Sequence, residues 1–359
     1  MKLPLLSRAR VAVLRPLVRA IFASRPLRSR LARSRVGSGV DPDFAALLAL
    51  DDLTRDSDVS KSSPESARHQ IIESAAIVED PPRGAVAVND LSFPGPGGQL
   101  RARRYVPAGL AAPSPGLVFL HGGGWVTGNL DTHDALCRRL ALTGRLRVVA
   151  IDYRLAPEHP FPAAVNDAVA AFRWVAAEAE SLGIDPTKLA VGGDSAGGNL
   201  SAVVSLKTRE DARRPALAVL LYPAVDARCT TASHRELGKG FYLTRDAIDW
   251  YMNHYFGKDP ETRLGPDASP LLAPDLDRSP PTLVVSATHD PLRDEAIAYA
   301  ARLREAGITV REERVAGMIH GFLNAGLSRA AREATERIAR EIGRALREGL
   351  SVDTGMNRA

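Results

Sequence analysis

Leu189-Ala190-Val191-Gly192-Gly193-Asp194-Ser195-Ala196-Gly197-Gly198-Asn199-Leu200 is the stretch that decides the fold. It begins as an apolar, β-like run, turns through glycine, and continues in a helical pattern at Leu200, Val203, Val204 and Leu206. Gly193-Asp194-Ser195-Ala196-Gly197 fits G-x-S-x-G, a serine carried on a sharp strand-to-helix corner. Such a corner pushes the hydroxyl out over the sheet edge. Small flanking residues, Gly193 and Gly197, let strand and helix approach. The start of the helix turns backbone N–H groups and a positive dipole end toward any oxyanion that forms there. The pentapeptide alone is a common combination, and only the strand–turn–helix setting gives it weight.

Outward from this corner, strand and helix patterns alternate. Strands are expected at Gly116–Leu120, Arg147–Asp152, Leu217–Tyr222, Thr282–Ala287 and Thr309–Val315. Helices are expected near Thr132–Leu142, Ala163–Leu182, Arg293–Ala306 and Ser328–Leu346. Upstream, Ala85–Phe93 and Leu100–Val106 read as strands around a Pro/Gly turn. The alternation predicts an α/β fold: a mostly parallel central sheet of about eight strands with helices on both faces. Chemistry in such sheets gathers beyond the carboxyl ends of the strands. Residues 81–225 and 277–350 would make this core. The interval 226–276, with Trp250, Tyr251, His254 and Tyr255 at helical spacing, is too long for an ordinary connection and reads as a cap insertion. The helical patterns of residues 41–80 would join it. Residues 1–40 read as a basic extension and 351–359 as a tail.

Several strand ends carry candidate chemistry. His121-Gly122-Gly123-Gly124-Trp125 follows the first parallel strand, and its glycines leave backbone N–H groups unobstructed, as an oxyanion site requires; read blandly, it is a flexible turn. Asp290 stands just past Thr282–Ala287, where it could orient a histidine or cap the next helix with Pro291 at its first position. His320 lies in a short loop after the last strand. Ser195, Asp290 and His320 thus occur in the order expected of α/β-hydrolases.

These segments together resemble the hormone-sensitive-lipase-like family of α/β-hydrolases, the bacterial family IV carboxylesterases. The matching pieces are His121–Trp125, Asp152-Tyr153-Arg154-Leu155-Ala156-Pro157-Glu158, Gly193–Asn199, Asp290-Pro291-Leu292-Arg293-Asp294-Glu295 and His320-Gly321-Phe322, and the likeness covers roughly residues 80–345. It implies a catalytic triad of Ser195, Asp290 and His320. The oxyanion would be held by Gly123, Gly124 and Ala196, supported by His121, Gly122, Gly193 and Gly197. No cofactor and no metal are expected. Trp125, Phe241 and Tyr242 are candidates to line the substrate pocket, and Trp250 either lines it or packs the cap. The implied substrates are small to medium acyl esters. An amidase or deacetylase on the same triad, or a non-catalytic small-molecule receptor, are the alternatives; His320 argues against the receptor.

Charge separates the chain into two parts. Ten basic and no acidic residues fall within positions 1–35, so the overall +5 leaves a body of formal charge −5. A body of that sign lacks the basic stripe of a nucleic-acid binder, and no nucleic-acid partner is expected. Val11, Leu14, Leu17, Val18, Ile21 and Phe22 share one helical face beside arginines, but Pro16 predicts at best two short helices there. The segment reads as a solvated or partly ordered extension, as an amphipathic arm making peripheral contact with an anionic membrane, or as a transit peptide. No secretory signal or membrane span is read, which places the expected protein in the cytoplasm, membrane-associated if the arm binds lipid. Self-association, if any, would be as a homodimer. Cys137 and Cys229 have no partner at ligand spacing and read as reduced thiols.

Overall fold

The computed structural model describes residues 5–35, 37–54 and 58–351. Most of the expected tail, 352–359, lies outside them. Four helices precede the sheet: α1 (Leu5–Ala23), α2 (Arg25–Ala32), α3 (Pro42–Thr54) and α4 (Pro64–Val78). Then follow β1 (Val86–Gly95), β2 (Gly98–Pro107), β3 (Ser114–Leu120), α5 (Asp134–Gly144), β4 (Arg147–Asp152) and α6 (Ala163–Ala177). The central corner joins β5 (Ile184–Asp194) to α7 (Ala196–Lys207), and β6 (Leu217–Leu221) comes next. Two helices, α8 (Ala232–Glu236) and α9 (Arg245–Phe256), occupy the long interval. The chain closes with β7 (Thr282–His289), α10 (Arg293–Glu305), β8 (Val310–Ile319) and α11 (Arg329–Glu348).

The strands form one eight-stranded sheet in the order β1-β2-β4-β3-β5-β6-β7-β8. Pairings β1–β2 and β2–β4 are antiparallel and the others parallel. All residues of β3 and β6 are buried, which is why both read as continuous apolar runs: helices cover the sheet on its two faces. Phe172 of α6 and Leu200 of α7 pack on one face, Leu140 of α5 and Ile338 of α11 on the other. Helix α11 shows how its sequence chooses a face. Ala331, Ala334, Ile338, Ile342 and Ala345 recur at helical spacing and are buried, and Ser328 caps the first turn by accepting from Ala331 N–H.

Two expectations for the arm fail. Helix α1 runs unbroken through Pro16. The ring removes one N–H, but Pro16 lies on the exposed side, where water can take up the freed carbonyl, while the Leu14–Val18–Ile21 face is held from below. Nor is the arm a solvated extension. Arg19 reaches Asp80 at 2.8 Å and Arg10 reaches Glu73 of α4 at 3.5 Å, while Arg28 of α2 pairs with Asp43 of α3 at 3.1 Å. The Arg19–Asp80 pair is exposed on both sides and contributes little, whereas Asp43 is buried beneath Arg28, and the buried Ile21 and Phe22 add apolar docking.

Helix α3 is tied to the sheet end that carries the loops. Asp41 N–H donates to Gly317 O, and the Asp43 carboxylate accepts from Ser328 Oγ and Arg329 N at the start of α11. Arg68 of α4 donates to Val126 O and Ala156 O and pairs with Glu158. Three of the segments that surround the sheet rim are therefore fastened through the N-terminal helices. Both cysteines are buried and free.

Candidate active site

Ser195 sits between β5 and α7 at φ +56°, ψ −118°, a backbone conformation that costs a non-glycine residue on the order of 1–3 kcal/mol. The corner is held by Ser195 N–H donating to Leu221 O and by Asn199 N–H closing the first helical turn on Ser195 O. Its tightness needs glycine. A Cβ on Gly197 would lie 1.9 Å from Leu120 O, and one on Gly193 would lie 2.2 Å from the same atom. Neither strand β3 nor the helix could then keep its place.

Three side chains far apart in sequence meet at this rim. His320 Nε2 is 2.9 Å from Ser195 Oγ, and His320 Nδ1 is 2.8 Å from Asp290 Oδ2. An ionised carboxylate can only accept, so Nδ1 carries the proton and Nε2 is left to accept from the serine hydroxyl. Asp290 is fully buried, and its other oxygen accepts from Leu292 N–H at 2.9 Å, which fixes the carboxylate plane. Asp290 thus orients the histidine and opens α10 at once. The edge of the Tyr222 ring meets the His320 imidazole, with centroids 5.0 Å apart.

The glycine loop stands across from the histidine. Gly123 has φ +117°, and a Cβ there would lie 2.3 Å from Thr127 O, so only glycine allows the loop its path. Among the described residues, no protein group accepts from the N–H of Gly123, Gly124 or Ala196, and all three residues line the same pocket as Ser195 and His320. That is a set of donors awaiting an acceptor. Asp194 braces the loop from behind: it accepts from Gly122 N–H at 2.8 Å and faces His133. Burial opposes the Asp194 charge, but His133 and the Gly122 amide outweigh it and hold the carboxyl below its ordinary range.

His121 is buried behind the loop, stacked on Tyr153 at 4.3 Å with Nδ1–H donating to Gly122 O. Burial, reinforced by His133, pushes its pKa down to about 3, so it stays neutral across the working range. Tyr153 OH donates to His121 O, and Arg154 forks onto the buried Asp167. The Asp152–Glu158 motif is scaffold.

The candidate pocket residues divide. Trp125 and Tyr242 line the cavity at Ser195, whose volume is about 140 Å³. Phe241 does not: it packs beside His289 at the end of β7, because the turn at Tyr242 (φ +74°) sends adjacent side chains in different directions. Trp250 packs on Tyr251 and His254. Helix α9 supplies Ile248, Tyr251 and Met252 to the pocket roof instead. Sequence reading missed Tyr222, His133 and Asn324. Tyr222 stands just beyond β6 and its position at a strand end was a usable signal; nothing in the sequence marked the other two.

A mostly parallel sheet with a strained serine at such a corner is the alpha/beta hydrolase architecture. A family model described as alpha/beta hydrolase fold matches residues 117–324, and the chain belongs to that family. Carboxylic ester hydrolase LipN of Mycobacterium tuberculosis (strain ATCC 25618 / H37Rv) is 49% identical over 249 residues, 68% of this chain and 66% of that protein. Ethyl acetate hydrolase of Pseudomonas putida is 37% identical over 296 residues, 80% of this chain and 93% of that one. Among solved structures, a thermostable esterase from Pseudomonas putida ECU1011 superposes with TM-score 0.81 at 35% identity, covering 88% of this chain and 99% of its own. The ester hydrolase EH1AB1 from the Lake Arreo metagenome does so with TM-score 0.79 at 41% identity, over 85% and 98%.

Proposed function

We propose that this chain is a serine carboxylic-ester hydrolase that works through an acyl-enzyme on small to medium acyl groups. Ser195 attacks the ester carbonyl while His320 Nε2 takes its proton, and Asp290 stabilises the imidazolium. The N–H groups of Gly123, Gly124 and Ala196 receive the negative oxygen. His320 returns the proton to the departing alkoxide, and water then repeats the sequence on the acyl-enzyme. The observation that carries the reading is the unbroken line from Ser195 Oγ through the imidazole to Asp290, at 2.9 and 2.8 Å. In this reading residues 81–225 and 277–350 are the catalytic core, and residues 41–80 and 226–276 the cap.

Ser195→Ala should lower kcat on p-nitrophenyl butanoate by on the order of 10⁴–10⁶ and abolish labelling by a fluorophosphonate. A variant that keeps full activity removes Ser195 from the mechanism. Matched anilides tested beside the esters separate esterase from amidase.

A peripheral membrane contact through the arm is supported by its exposed apolar side chains. Val13 is 67% exposed and Leu27 49%, among arginines. No helix among the described residues is long and apolar enough to cross a membrane. Val13→Asp/Leu27→Asp should reduce sedimentation with anionic vesicles at low salt; equal pelleting of the variant removes the arm from consideration.

A further inference from the structure

A second, larger cavity opens off the site. Its volume is about 370 Å³, against about 140 Å³ at Ser195. One wall is helix α1, through Leu14, Leu17, Val18 and Ile21, and the facing wall is α3 and α4, through residues that include Phe44 and Ala75. The apolar stripe of α1 that looked like a membrane-seeking face in the sequence is turned mainly inward. Leu17 lines the cavity and is still 55% exposed, so the chamber opens to solvent along α1. The family match begins at residue 117, well after α1, α3 and α4.

Where the chamber joins the site decides what it can hold. Ile71, His133, Tyr242, His320, Gly321 and Asn324 line both cavities; of these only His320 hydrogen-bonds to Ser195, and none of Ser195, Gly123, Gly124 or Ala196 lines the larger one. The oxyanion donors and the α9 side chains Ile248 and Met252 belong to the smaller pocket. In ester cleavage the carbonyl oxygen faces the oxyanion donors, and the departing oxygen must face the imidazole that protonates it. A chamber entered past His320 therefore lies on the alcohol side. The smaller pocket keeps the acyl group.

We propose that the α1-walled chamber takes a long apolar chain on the alcohol half of the ester, so that the substrate class is a short- to medium-acyl ester of an extended hydrophobic alcohol. This rests on the ester-hydrolase reading. A cavity of about 150 Å³ holds a benzene ring, so the chamber has room for roughly a dozen carbon atoms. Each fully buried methylene is worth up to about fourfold in a specificity constant. Partial burial still predicts a rise of at least about tenfold in kcat/KM from butyl to decyl butanoate.

Two ester series test it: butanoates of butanol to dodecanol, and ethyl esters of butanoic to dodecanoic acid. The full chain should gain along the alcohol series and fall along the acid series. Val18→Trp, which fills the chamber from α1, should cut the decyl-to-butyl ratio of kcat/KM at least about fivefold. Ala75→Phe, which fills it from α4, should do the same and guards against one variant failing to fold. A flat alcohol series, a gain along the acid series instead, or ratios unchanged in both folded variants overturns the proposal. Absence of hydrolysis of every ester, p-nitrophenyl butanoate included, would instead overturn the hydrolase reading itself.

Discussion

Replacing Asp290 with Asn tests the central geometry with almost no change in shape. In the native site one carboxylate oxygen accepts from Leu292 N–H at 2.9 Å and the other from His320 Nδ1 at 2.8 Å. An asparagine keeps the first bond only if its oxygen faces Leu292. Its amide NH₂ then faces His320, where two donors cannot meet. The imidazole resolves the conflict by moving its proton to Nε2, which leaves nothing to accept the Ser195 hydroxyl proton. The equivalent tautomer error in a serine protease triad lowers kcat about 10⁴-fold, roughly 5.4 kcal/mol of activation free energy. Because Asp290 is fully buried and Asn matches its volume, folding should change far less than catalysis. Steady-state hydrolysis of p-nitrophenyl butanoate, beside thermal unfolding of both proteins, provides the comparison. Activity of the Asn variant within tenfold of the native enzyme, with folding intact, would refute the assigned proton positions and with them the role of Asp290.

Other outcomes follow from single contacts. Gly197→Ala should destabilise by more than about 3 kcal/mol in urea unfolding, since its Cβ would meet the Leu120 and His121 carbonyls at 1.9 and 2.7 Å and backbone cannot yield as a side chain can. Glu79 closes α4 among groups that raise its pKa to about 9, burial first and then the Asp134 carboxylate. The unfolded carboxyl ionises near 4.5 and the folded one does not, so its contribution is full below that value and is lost as pH rises toward 9. Glu79→Gln should therefore be the more stable protein at pH 8 but not at pH 4, the gap growing by up to about 1.4 kcal/mol per pH unit between them. Denaturant midpoints at several pH values measure it.

Much of this molecule was legible before any coordinates. The alternation of apolar runs fixes a parallel sheet because a strand buried on both faces must be apolar throughout, as β3 and β6 are. The corner at Ser195 was legible because a serine at positive φ, hard against a neighbouring strand, tolerates only glycine at positions 193 and 197. Such local demands write themselves into the sequence. Asp290 and His320 were readable as residues just past strand ends, in a particular order along the chain. That they meet Ser195 within hydrogen-bond distance depends on β7 pairing with β6 and β8 with β7, which no local preference determines.

What the sequence could not show was where the arm would lie. Its helical face was plain, but an apolar stripe is equally satisfied by lipid, by solvent-exposed fraying or by a neighbouring helix, and Pro16 argued for a break. Tertiary contacts chose the neighbouring helices, α3 and α4, and carried the helix through the proline. The same packing created the chamber beyond His320, because a cavity is the space between elements and belongs to no segment of the chain. Motif and spacing marked the candidate catalytic residues; only the packing of distant helices determined the room around them.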